Sequence, residues 1–146
     1  MGIQRVKEEM HQVQPPVVVF TASHKKSGET YYNNELINQW IIRLHKGDCF
    51  NENGTFTAPR EGIYKFDYHN NHADADGYDQ YIDWYLNGSN LGYARIYNTH
   101  RGDGSWANMA GHLIIELSPG DTIQLVGQSN INPDGADYGL WSGYLM

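Results

Sequence analysis

Cysteine, basic residues and long apolar runs are all scarce in this 146-residue chain, and each scarcity removes a class of protein. A single cysteine, Cys49, rules out an intrachain disulfide and with it any fold stapled by disulfides. Its setting between Asp48 and Phe50, at the end of an expected strand and without a CxxC or triad spacing, fits a small buried thiol. Ten Lys and Arg against 17 Asp and Glu give a net charge of −7. That balance argues against nucleic acid or an anionic membrane as partner, because the averaged field repels both. No apolar run approaches the ~20 residues of a membrane span, so membrane insertion is not expected. The start lacks the charged and apolar regions of a signal peptide, and the chain is read as soluble and already processed or excised. Gly-x-Ser-x-Gly, phosphate-loop and metalloprotease motifs are missing, and the histidines have no recognisable nucleophile beside them, so the chain is not expected to be an enzyme. With no Gly-X-Y repeat, there is no collagen segment in the sequence.

What is abundant is the aromatic ring and the turn residue. Eleven Tyr, 4 Trp and 16 Gly punctuate short alternating runs, the pattern of a single β-sandwich domain. Strands are expected near 17–24, 38–45, 55–57, 62–70, 78–87, 91–98, 107–118, 121–128 and 138–145, with almost no helix after Pro16. Residues 1–16 are a different segment. Ile3, Val6, Met10 and Val13 follow coiled-coil spacing before Pro15-Pro16 ends any helix, which suggests either the stub of a trimerising stalk or a frayed leader. Residues 17–146 form the expected globular domain.

The richest stretch runs from Gly47 to Tyr68. Asn53-Gly54 signals a turn, Phe56-Thr57-Ala58-Pro59 a short strand stopped by proline, and Gly62 opens a strand with Tyr64, Phe66 and Tyr68 on one face. Gly111 to Val126, with Leu117-Ser118-Pro119-Gly120-Asp121 at its centre, and Leu140-Trp141-Ser142-Gly143-Tyr144-Leu145 follow in order, while Val17 to Ala22 supplies a first strand. Together these segments resemble the globular head of the C1q family, of the C1q/tumour-necrosis-factor superfamily, and most nearly its invertebrate type. The departures are a turn between Phe50 and Phe56 one residue short of the usual, and His45 where Asn or Asp is more typical. The resemblance implies an all-β, ten-stranded antiparallel jelly roll, assembled as a homotrimer and secreted. It places the strands at 62–70, 107–118 and 138–145 toward the threefold axis, with Lys65, Asp67 and His69 turned away from the core and facing neighbouring subunits. It also implies lectin-like recognition of carbohydrate or microbial surfaces in innate immunity. A trimeric structural or signalling ligand for a protein receptor is the alternative.

Several motifs carry candidate chemistry. Asp74, Asp76 and Asp79 around Gly77 offer hard oxygen ligands to a weak calcium site, although the spacing falls short of an EF-hand. His69 and His72 form a partial zinc set lacking a third ligand. The acidic residue that several C1q-like domains use for calcium does not carry over, since Asp103 is the nearest acid to Trp106–Gly111. Arg101-Gly102-Asp103 is an adhesion tripeptide, and Asn53-Gly54-Thr55 and Asn87-Gly88-Ser89 are glycosylation sequons at expected turns. The tyrosine-rich run from 78 to 97 is the candidate ligand surface, with Tyr81, Asp83, Tyr85, Tyr93, Arg95 and Tyr97 projecting together. Their common face is expected to depend on a three-residue Asn87-Gly88-Ser89 loop. A two-residue turn would pair even with odd positions and split them.

Overall fold

The computed structural model describes residues 16–25, 31–73, 79–98, 106–131, 133 and 139–146. Its described residues are all-β, with no helix and eleven antiparallel strands. They are β1 (Val19–His24), β2 (Glu35–Leu36), β3 (Trp40–Lys46), β4 (Phe56–Thr57), β5 (Gly62–Ala73), β6 (Gln80–Leu86), β7 (Ser89–Asn90), β8 (Ile96–Asn98), β9 (Trp106–Leu117), β10 (Thr122–Gly127) and β11 (Leu140–Leu145). One sheet has the order β3-β1-β11-β5-β9, and the other is β2-β10-β6-β7 with β4 paired to β10 and β8 to β6.

Alternation along each strand selects the core. Tyr64, Phe66 and Tyr68 of β5 are buried, as are Ile82 and Trp84 of β6 and Ile123 and Leu125 of β10. Phe20 stacks on Phe50 at 4.1 Å and meets Trp141 edge-on at 5.1 Å, so the rings of three segments close one end of the sandwich. Gly143 is what lets β11 pass there: a Cβ on it would lie 2.6 Å from both Phe20 and Phe66. The expected outward turn of Lys65, Asp67 and His69 also holds, with the first two half-buried and His69 exposed. Cys49 is buried and free, and burial pushes its thiol up to about 11, as expected of a structural cysteine.

His45 explains its own unusual presence. Its Nε2 accepts hydrogen bonds from the backbone N–H groups of Cys49 at 2.9 Å and Phe50 at 3.1 Å. A neutral imidazole thus caps the loop in the way an Asn or Asp oxygen would. The leader at residues 1–15, the Arg101-Gly102-Asp103 tripeptide, and Asp74 and Asp76 lie outside the described residues.

Several expectations about strands need correction: β5 runs past the expected 62–70 to Ala73, and the short β7 at Ser89–Asn90 was not foreseen. β2 was not expected, and it forms because Leu36 finds a ladder partner in Val126. The expected strand at 91–98 begins only at Ile96, because Gly92 and Ala94 adopt positive φ of 79° and 59° and break the ladder.

Candidate functional site on the outer sheet

The hairpin after β6 decides what the outer sheet displays. Asn87 and Gly88 take φ of 50° and 80°, and Leu86 pairs with Ser89, which makes the connection a two-residue turn of the type that Asn-Gly favours. The three-residue loop on which the common face was expected to depend does not form, and the two-residue alternative does. Asn87 is also tied down: its Nδ2 donates to Asp121 at 3.0 Å and its Oδ1 accepts from the Thr122 N–H at 2.8 Å.

The patch is nevertheless not split. Tyr85 pairs with Asn90, but Tyr81 pairs with Tyr97, so residues 92–95 loop out after the Leu91 N–H has bonded to the Trp84 carbonyl and restore odd-to-odd pairing at the far end. With Ile82 and Trp84 pointing into the core, Tyr81 and Tyr97 share the outer face, their rings stacked at 6.2 Å and 26°. Tyr97 is 59% exposed.

Arg95 closes over this pair from the looped segment. Its Nε and Nη2 donate to Asp83 at 2.7 and 2.8 Å, and its guanidinium carbon sits 5.0 Å from the Tyr81 ring centroid. Asn90 adds a third hydrogen bond to Asp83 at 2.8 Å. Burial would raise the Asp83 carboxyl, but these hydrogen bonds and the Arg95 charge outweigh it and hold the group below the usual carboxylate range. Asp83 was expected to offer its oxygens to a ligand. Only 4% exposed, it instead braces Arg95 from beneath.

Tyr85 is half-buried, its hydroxyl accepting from Gln128 Nε2 at 2.9 Å, and Tyr93 stands 55% exposed on the looped segment. Of the six residues singled out in the sequence, Tyr81, Asp83, Arg95 and Tyr97 make one connected cluster, with Tyr85 two positions along the same face of β6.

Sequence reasoning missed the groove beside Tyr81. It has a volume of about 570 Å³, within the range of small-ligand sites, and is lined by Asn33, Asp79, Tyr81, Gln128, Ser129 and Asn130. The Tyr81 hydroxyl donates to Asp79 Oδ2 at 3.2 Å, and Ser129 Oγ accepts from the Tyr81 N–H at 2.9 Å. No short motif marks Asn33 or the Gln128-Ser129-Asn130 run; they meet Tyr81 because β10 pairs with both β2 and β6.

Asp79 is the described member of the expected calcium set, and among the described residues no three His, Cys, Asp or Glu side chains gather as metal ligands. The His69 and His72 pair cannot share a zinc ion. Three positions apart on β5 they point to opposite faces, His69 exposed and His72 fully buried.

Antiparallel sandwich, strand order and terminal aromatic strand together define a jelly-roll recognition fold. A family profile described as the C1q domain matches residues 19–146, and the chain belongs to that family. Among solved structures, the globular domain of zebrafish complement 1qA superposes with a TM-score of 0.67 at 14% identity, covering 89% of this chain and 97% of that one. Eiger TNF from S. frugiperda superposes at 0.73 with 9% identity, covering 90% and 94%, and murine APRIL (pH 8.5) at 0.61 with 10% identity, covering 90% and 100%. At such identities these similarities establish the fold alone. A search of curated protein sequences gives no match. Domains of the C1q/TNF class are generally binding modules of secreted or extracellular proteins rather than enzymes. No helix among the described residues is long and apolar enough to cross a membrane.

Proposed function

We propose that this chain is the non-enzymatic head of a secreted homotrimer that recognises carbohydrate on microbial or other surfaces, in the manner of a lectin of innate immunity. The observation that carries this reading is the exposed Tyr97 ring stacked on Tyr81 at the edge of a groove lined with amide, hydroxyl and carboxylate side chains. Flat rings with polar edges suit the apolar face of a pyranose, and short polar side chains suit its hydroxyls. A glycan array probed with the intact protein is expected to give binding that Tyr97→Ala abolishes; an empty array removes the carbohydrate reading.

Trimerisation would use the outer face of the β3-β1-β11-β5-β9 sheet. Register puts Tyr144, Lys65 and Ile114 in one row across β11, β5 and β9, and Ser142, Asp67 and His112 in the next. Ile63 and Ile114 are 50% and 53% exposed, which is apolar area suited to burial between copies. Sedimentation is expected to give a trimer at micromolar concentration; monomer alone would overturn the assembly. A protein receptor is the second reading, favoured by Tyr93, which stands exposed outside the groove. Any calcium held by Asp79 with Asp74 and Asp76 would bind weakly, in the ~10⁻⁴ to 10⁻³ M range of extracellular modules.

A further inference from the structure

Resting on the carbohydrate reading, we infer that the groove selects uncharged pyranoses and rejects sialic and uronic acids, because Arg95, the guanidinium that rests on the Tyr81 ring beside it, is already paired with a carboxylate from below. Arg95 is the cation beside the Tyr81 and Tyr97 rings, and at first sight it is a receptor for a sugar carboxylate. Its Nε and Nη2 are both committed to Asp83 in a two-pronged pair at 2.7 and 2.8 Å. Asp83 is 4% exposed and further anchored by Asn90, so no small movement of the carboxylate frees the guanidinium. Taking Arg95 from this pair would strand a buried carboxylate without its counter-charge, which is the costly way to break an ion pair.

Among the described residues that line the groove, the charged one is a carboxylate, Asp79. Two further features favour a neutral polyol. The side-chain amides of Asn33 and Asn130 have no hydrogen-bond partner among the described residues and line the groove, where each offers donors and an acceptor to hydroxyls. The Tyr81 hydroxyl donates to Asp79, so the groove presents an oxygen-rich wall that accepts hydroxyl protons and repels carboxylates. Arg95 then serves as a positioning residue. Clamped by Asp83 and resting on Tyr81, it fixes the ring on which Tyr97 stacks.

The test compares two oligosaccharides that differ only at the terminal residue, galactose in one and N-acetylneuraminic acid in the other. Binding to the intact protein is measured by calorimetry in chelator at low and moderate salt. The neutral sugar is expected to bind at least tenfold more tightly at low salt, with the gap narrowing as salt screens Asp79. Asp79→Asn, an exchange in the groove wall, should narrow it likewise. Asp83→Asn should release Arg95 and raise the affinity for the sialylated sugar several-fold relative to the neutral one. Should that variant fail to fold, the wild-type pair and Asp79→Asn still decide. Equal or tighter binding of the sialylated sugar by the wild type overturns the selectivity while leaving the carbohydrate reading intact. Binding of neither sugar, nor of any other glycan on an array, overturns the carbohydrate reading itself.

Discussion

One face of β5 crosses two different cores. At its start Tyr64 and Phe66 join Phe20, Phe56 and Trp141 in a ring cluster with centroid spacings of 4.9 to 6.5 Å, held by shape and apolar burial. At its end the same face carries Tyr68, Asn70 and His72, all essentially inaccessible to solvent. Here a chain of hydrogen bonds replaces apolar packing. His72 Nδ1 lies 3.2 Å from Gln80 Oε1, the Tyr68 oxygen 2.9 Å from His72 Nε2, and His24 Nε2 2.8 Å from the Tyr68 oxygen. Gln80 Oε1 can only accept, so the His72 proton sits on Nδ1, Tyr68 donates to Nε2, and His24 donates to Tyr68. That sequence leaves His24 Nδ1 as a buried lone pair without a partner, and the imidazole offsets this by stacking on Trp40 at 4.4 Å. The contrast teaches that one end of the sandwich is indifferent to pH, whereas the other holds together only with neutral histidines.

The largest expected effect lies at the apolar end. Phe66→Ala should cost about 3 to 5 kcal/mol, the usual range for emptying a buried phenylalanine site, measured by urea unfolding at neutral pH. The same loss is expected at pH 5.5, since nothing in that cluster titrates there.

The polar end should respond to pH instead. Burial, with the nearby His72 charge adding to it, pulls His24 down to about 3, and burial pulls His72 down to about 4 against the hydrogen bond to Gln80. Both folded values lie below the unfolded value of 6.5, so the unfolded chain binds protons more readily and acid favours unfolding. The stabilisation from neutral burial is complete above pH 6.5 and is lost as pH falls from there toward 4 and then 3. At roughly 1.4 kcal/mol per group per pH unit, stability against unfolding in chelator should fall by about 3 kcal/mol between pH 7.5 and 5.5. A profile unchanged in a His24→Phe, His72→Gln variant would move the acid sensitivity elsewhere.

Tyr68→Phe isolates the hydroxyl that joins the two histidines. Removing it unpairs a His24 donor and a His72 acceptor for the loss of one oxygen, at an expected cost of about 1 to 3 kcal/mol. If the cost matched that of Phe66→Ala, the hydrogen-bond chain would be as important as the packed rings, and the contrast between the two ends would fail.

The apolar half of this division was legible in the sequence, and the polar half was not, for a physical reason. Period-two alternation marked Tyr64, Phe66 and Tyr68 as one inward face, and the expected strand there stopped at Asn70 only because Asn71 and His72 look like loop residues. The burial of His72 is a tertiary effect: β9 pairs with β5 as far as Ala73 and so carries the strand and its inward face past Asn70, while Asn71 stays exposed. On the outer sheet, Asn-Gly correctly signalled a turn, but its length followed from Ser89 joining the ladder. The three-residue slippage between Asn90 and Ile96, which reunites Tyr81 with Tyr97, has no local signature beyond Gly92. Asp83 was read as a ligand group because alternation gives its face and says nothing about a partner 12 positions away folding back over it.

The smallest effect, and the finest test of the comparison, concerns calcium. Asp79 precedes the first residue of β6, Gln80, whose side chain receives the His72 hydrogen bond, so an ion held there would brace the polar end specifically. With a dissociation constant near 10⁻³ M, 2 mM calcium should add only about 0.6 kcal/mol, because stabilisation grows with the logarithm of occupancy. That is a shift of at most a few degrees in Tm. Hydrogen exchange makes the prediction local: amides of Tyr68, Asn70 and Gln80 should slow in calcium relative to chelator, while those of Phe20 and Phe66 stay the same. Equal slowing at both ends would mean that calcium acts on the whole fold, and identical exchange in both buffers would remove the site.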